Sequence, residues 1–221
     1  MALLYLLRHG ESQANLHPEL IGGRTPETPL SERGAEQAKR AGAYMSRLLI
    51  RPSLVAVSPT VRTRDTAARA LQQMNYHGKV VFDSALHELS QGESEGRSRM
   101  DTYTPERLEQ IAQLGKDFKL PGGESVAEVG ERMKIAMHRI DHMVRHTQRE
   151  DASREAARGI MLPECGLVVT HETAIKALVA QIKGYDQEWV YKTRLPNASL
   201  TRLTVSDSSI ILDVLGSNTQ S

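Results

Sequence analysis

Two histidines, two arginines and a glutamate in this chain each stand just after a short apolar run. Arg8-His9 follows Ala2-Leu3-Leu4-Tyr5-Leu6-Leu7, and His171 follows Leu167-Val168-Val169-Thr170. Ser58-Pro59 follows Leu54-Val55-Ala56-Val57, with Arg62 four residues beyond Ser58, and Leu86-His87-Glu88 comes after Val80-Val81-Phe82. An arginine fork clamps phosphate oxygens in a bidentate way, and an imidazole serves as nucleophile or as acid and base. Two guanidinium groups and a second histidine suffice to hold a phosphoryl group while His9 attacks phosphorus in line, a reaction that asks mainly for positioning and charge stabilisation. His9 must then be neutral and oriented through its other ring nitrogen, with a backbone carbonyl the expected partner. Glu88 is the candidate acid for the departing alkoxide. Competing readings are ordinary loop or core histidines, and metal ligands. His171-Glu172 begins like a zinc-protease helix, but Ile175 stands where the second ligand belongs. No dense aspartate cluster suggests magnesium, so chemistry without a metal or cofactor is expected.

These groups need a frame that brings strand ends together. Apolar runs alternating with longer helical patterns predict a mostly parallel sheet, and ligands bind beyond the carboxyl ends of such strands. Strands are expected at Leu3–Leu7, Leu54–Val57, Val80–Phe82 and Leu167–Thr170, with a terminal hairpin of Ser199–Val205 and Ile210–Leu215 around Asp207-Ser208-Ser209. A helix capped by Ser31 runs to about Leu49, a second follows Ser58-Pro59 with Arg62 in its first turn, and a third spans Pro105–Leu114. The positive end of the second helix adds to the charge of Arg62. Ser125 caps a long helix reaching roughly His146, and another covers Thr173–Ile182. In the long helix, Val129, Met133, Ala136, Met137, Ile140 and Val144 form the buried stripe, so His138, His142 and His146 belong to a solvated face rather than a metal site. Residues 13–30, with three prolines and two glycines, form a loop beside the first strand's end. Residues 147–164 read as a helix extension followed by an exposed connection.

The totals bound the partners. At 221 residues, 39% hydrophobic and 25% charged, the chain is expected to form a single globular domain over 1–221. A net charge of +1 argues against a broad nucleic-acid footprint. No apolar run is long enough to span a bilayer. The first residues lack the basic start and cleavage site of a secretion signal, and Cys165 is alone, so a cytoplasmic location is expected. The expected partner is a small-molecule phosphate ester, and a homodimer is left open.

The ordered set of motifs resembles the histidine phosphatase superfamily, the phosphoglycerate mutase-like proteins. Its carriers are Arg8-His9-Gly10-Glu11-Ser12 with Asn15, Thr28-Pro29-Leu30-Ser31-Glu32-Arg33-Gly34, and Ser58-Pro59-Thr60-Val61-Arg62 with Thr66-Ala67. Leu86-His87-Glu88, Pro121-Gly122-Gly123-Glu124-Ser125, Val169-Thr170-His171 and Pro196-Asn197-Ala198-Ser199 complete it. The resemblance implies a three-layer α/β/α sandwich with a mostly parallel central sheet. It implies His9 as the residue phosphorylated in turnover, Glu88 as proton donor, and Arg8, Arg62 and His171 as the phosphate pocket, with Asn15 and Ser12 as supporting contacts. Two positions depart from it. Glu172 replaces the glycine many relatives carry after the second histidine; its backbone N–H remains available to phosphate, while its side chain should point away or meet a cation of the substrate. Asp65 stands near a common glutamine and is expected to pair with Arg62 or Arg69. The segment Leu89-Ser90-Gln91-Gly92-Glu93-Ser94-Glu95-Gly96 is closer to the phosphatase relatives than to the mutases, which favours hydrolysis of phosphate monoesters over phosphoglycerate mutation or non-catalytic phospho-ligand binding. Glu93 and Glu95 are read as loop charges or substrate contacts, and Arg24, Arg97 and Arg99 as solvent-facing charges available to line the mouth of the site.

Overall fold

The computed structural model describes residues 1–155 and 165–220. In chain order its main elements are β1 (Ala2–Arg8), α1 (Glu32–Arg47), β2 (Leu54–Val57), α2 (Val61–Gln73), β3 (Lys79–Phe82), α3 (Arg99–Thr102), α4 (Pro105–Leu114), α5 (Val126–Glu155), β4 (Cys165–Thr170), α6 (Glu172–Lys183), α7 (Gln187–Lys192), β5 (Leu200–Val205) and β6 (Ile210–Ser217). The six strands form one sheet in the order β3-β2-β4-β1-β5-β6. The first four are mutually parallel, and β5 and β6 join antiparallel. The sheet is therefore mixed, with a parallel core.

Alternation along the central strands sends successive side chains to opposite faces. Leu4 and Leu6 of β1 pack with Met133, Met137 and Ile140 of α5 and Ile175 of α6. Leu7 of β1 packs with Ala41 and Met45 of α1 and with Ala67, Ala70 and Leu71 of α2. Helices thus cover both faces, giving the expected three layers. All six residues of the α5 stripe are fully buried. His142 and His146 are exposed as expected, whereas His138 is half-buried with Nδ1 3.1 Å from the Ser206 carbonyl. β3 is an edge strand, with Phe82 61% exposed.

Local chemistry sets the helix starts. The Ser31 hydroxyl accepts from Gly34 N at 3.0 Å to cap α1. Ser125 and Glu128 form a reciprocal capping box on α5, at 3.1 and 2.9 Å. The helix extension expected after His146 continues to Glu155; the connection beyond it lies outside the described residues. No described helix is long and apolar enough to cross a membrane.

Candidate active site

The register of the parallel core fixes the site. Arg8 pairs with Thr170 across β1 and β4. Just past that pair, His9 N donates to the Thr170 carbonyl at 3.0 Å, and Ser58 N donates to the Val169 carbonyl at 3.0 Å. His9, Ser58 and His171 therefore leave adjacent strands at one edge. The His9 and His171 rings meet edge to face with centroids 5.2 Å apart. The loop carrying His9 lies directly on the first turn of α1. A Cβ built on Gly34 would stand 1.9 Å from the Glu11 carbonyl oxygen, and one on Gly10 would stand 2.3 Å from that of Gly34. Both glycines are required by close approach of backbone to backbone.

His9 Nδ1 lies 2.7 Å from the Gly10 carbonyl oxygen. A carbonyl only accepts, so Nδ1 carries the proton and Nε2 keeps its lone pair. Burial above all, then the Arg62 and Arg8 guanidinium groups, push the His9 imidazole well below its ordinary range, against the opposing Gly10 bond. His171 is also pushed well below its range, by burial first and then by Arg62 and His9. Its Nε2 lies 2.9 Å from the Ser58 hydroxyl, and its Nδ1 is buried with no partner. Both rings are neutral near pH 7.

Arg62 and Arg8 are largely buried cations. The Arg62 Nη1 donates to the Thr25 and Arg24 carbonyls at 2.8 and 3.1 Å, and its Nη2 donates to the Gly23 carbonyl at 2.9 Å. That orients Arg62 through the loop rather than through Asp65; among the described residues, Asp65 forms no ion pair with Arg62 or Arg69. Glu95 holds the same loop by accepting from Arg24 N and Thr25 N at 3.1 and 3.2 Å, a structural task for a residue read as a loop charge or a substrate contact. The Arg8 Nη1 donates to the Leu195 carbonyl and pairs with Glu172 Oε2 at 2.9 Å. Arg8 Nε is buried and unpartnered.

Glu88 sits where α6 begins. Its carboxyl oxygens accept from Thr173 N at 3.1 Å, from Ala174 N at 3.0 Å and from Leu89 N at 2.8 Å. The strand ends thus bring His9, Arg8, Arg62, His171 and Glu88 together. Ser12 and Asn15 stand one step away. The Asn15 Oδ1 accepts from Ser12 N at 2.9 Å and from the Ser12 hydroxyl at 3.1 Å. It is also 3.3 Å from Asn197 Nδ2, which lies 3.3 Å from the His9 carbonyl. The Glu172 side chain is taken up between Arg8 and Lys176. Among the described residues no cluster of three or more histidine, cysteine or acidic side chains has metal-binding geometry.

Thr66, one of the motif carriers, has a supporting contact, and Arg132 is a supporting residue that the sequence did not single out. Thr66 Oγ1 accepts from Gly10 N at 3.0 Å. Arg132 donates to both oxygens of Glu124 at 2.9 and 3.0 Å, to the Ala85 carbonyl at 2.9 Å and to the Glu88 carbonyl at 3.1 Å. It therefore ties the Glu88 segment to α5. Its signal in sequence was its place on the helix that Glu124-Ser125 opens. The 13–30 loop lines an open, largely apolar cleft of about 530 Å³ whose walls include Ala14, Leu20, Ile21, Thr25 and Pro26.

Comparison with known proteins shows the family and the fold. Residues 4–218 match the family model described as histidine phosphatase superfamily (branch 1). The chain is 30% identical over 213 residues to "Probable phosphoglycerate mutase GpmB" of Salmonella choleraesuis, covering 94% of this chain and 87% of that protein. Among solved structures it resembles mycobacterial glucosyl-3-phosphoglycerate phosphatase in complex with inorganic phosphate, with a TM-score of 0.74, 24% identity and full coverage of both chains. It also resembles the alpha-ribazole phosphatase of Shigella flexneri, with a TM-score of 0.71, 23% identity and coverage of 98% and 96%. The chain belongs to the histidine phosphatase superfamily.

Proposed function

We propose that the chain hydrolyses small phosphate monoesters through a phosphohistidine on His9. The observation that carries this reading is the state of His9: buried, neutral, fixed by Gly10 through Nδ1, and set beside His171 and two guanidinium groups. Its Nε2 lone pair attacks phosphorus in line with the leaving oxygen. Arg8, Arg62, His171 and the Glu172 N–H at the start of α6 hold the phosphoryl oxygens. Ser12 and Asn15 support the loop that carries His9. Glu88 gives its proton to the leaving alkoxide, and the carboxylate so formed is received by the N–H groups of Leu89, Thr173 and Ala174. Water then attacks the phosphohistidine, with Glu88 as base. Neither a metal nor a cofactor takes part.

A mutase is the second reading, because a relative 30% identical carries that name. The two readings share the pocket and differ in whether water reaches the intermediate. A panel of metabolite phosphates is assayed for phosphate release, with and without a chelator, alongside isomerisation of 3-phosphoglycerate. Chelator-resistant release is expected, and His9→Ala should abolish it while the protein stays folded. Efficient isomerisation with little release would give the mutase reading; activity retained in His9→Ala would remove the nucleophile.

A further inference from the structure

Glu172 stands beside the phosphate donors as a carboxylate, which would repel the bound phosphate if it were free. It is not free. Its Oε2 pairs with Arg8 Nη1 at 2.9 Å, and its Oε1 pairs with Lys176 Nζ at 3.1 Å. The same Oε1 accepts from Leu195 N at 3.3 Å, and Lys176 Nζ also donates to the Thr193 carbonyl at 3.1 Å. The side chains of Arg8, Glu172 and Lys176 are only 10%, 13% and 5% exposed. Three charges share one buried chain, with the carboxylate in the middle. The Leu195 carbonyl shares Arg8 Nη1 with Glu172.

We infer that Glu172 is the positioning residue of Arg8: it fixes the Nη1 corner of the guanidinium so that the opposite Nε–Nη2 edge faces the phosphate. This rests on the phosphate-pocket reading above. Arg8 Nε, buried and unpartnered, is the donor left over once Nη1 is engaged. A guanidinium binds phosphate best through two parallel N–H groups, and tying Nη1 fixes the direction in which the Nε–Nη2 edge points. An arginine side chain loses much rotamer freedom when it is held, and Glu172 bears that cost before substrate arrives. Lys176, four residues along α6, balances the carboxylate on its far side, so Glu172 can grip Arg8 without leaving a net negative charge beside the anion.

Glu172→Ala alone would leave Lys176 buried without its anion and threatens folding, so the informative variant is Glu172→Ala/Lys176→Met. Two readouts are needed: calorimetric binding of inorganic phosphate and the steady-state hydrolysis of p-nitrophenyl phosphate. For the folded double variant, the expected result is phosphate affinity and kcat/KM both reduced about 10- to 100-fold, the scale of a misplaced binding group. In an Arg8→Ala background the same pair of substitutions should change neither quantity further, because Glu172 acts through Arg8. A folded double variant within twofold of the parent in both readouts would overturn the inference, as would an equal loss in the Arg8→Ala background. Failure of the underlying functional reading looks different: the parent protein itself would neither bind phosphate nor release it.

Discussion

Two neutral imidazoles in a buried, cationic pocket make stability depend on pH in a definite direction. His9 and His171 both lie well below the ordinary value of 6.5 in the folded protein. Below pH 6.5 the unfolded chain takes up protons on both rings while the folded chain does not. Stability is therefore complete above that value and falls as pH drops, until the folded-state values are reached. Each ring contributes up to about 1.4 kcal/mol per pH unit in that window. From pH 7.5 down to pH 5.5 the pair should together cost up to about 3 kcal/mol. Half-buried His87, held low by burial and by Arg24, acts in the same sense. The carboxylates held low, such as Glu124, start from 4.5 and lose their contribution below this window. Denaturant unfolding at several pH values, in buffers free of phosphate and sulfate, measures the slope. His171→Gln should remove close to half of it. A flat profile from pH 7.5 to 5.5, or a slope unchanged in His171→Gln, would refute the claim that the rings are buried and neutral.

Other outcomes test the supporting structure. Glu88→Gln should slow esters of basic alcohols far more than p-nitrophenyl phosphate, and equal slowing would deny it the role of acid. Arg132→Met removes four charge-assisted hydrogen bonds around Glu124 and the Glu88 segment. It should destabilise by about 3 kcal/mol and lower kcat for alkyl esters, read by chemical denaturation and initial rates. Gly34→Ala places a methyl against the Glu11 carbonyl, which should cost about 1–3 kcal/mol and displace His9, so that thermal midpoint and kcat fall together.

Much of this arrangement could be read from the chain because the chemistry lies next to the strands. The runs Leu3–Leu7, Leu54–Val57 and Leu167–Thr170 are too apolar and too short to be anything but buried strands, and polar groups appear where each stops. Ser31 and Ser125 announced their helices through cap chemistry. What stayed hidden needs distance information. β3 has the same kind of residues as β2, and only the strand order makes it an edge. α7 is six residues long, too few to show a helical period, although Asp186 caps it. Arg132 looks like any polar residue on a long helix, and its four acceptors come from segments 8 to 47 residues away. Glu172 and Lys176 have the spacing of an ordinary surface pair; that they are buried with Arg8 depends on the 193–195 segment folding back over them.

The spacing of His9 and His171 is inherited from neighbouring parallel strands at the centre of the sheet. The amide of His9, bonded to Thr170 across that seam, should exchange its proton for deuterium only when the whole molecule opens. The proposed catalytic centre would then be as durable as the fold itself, and motion that admits substrate or expels product would come from the surrounding loops. Rates limited by such steps would respond to changes in residues 13–30 and leave the protection of His9 untouched.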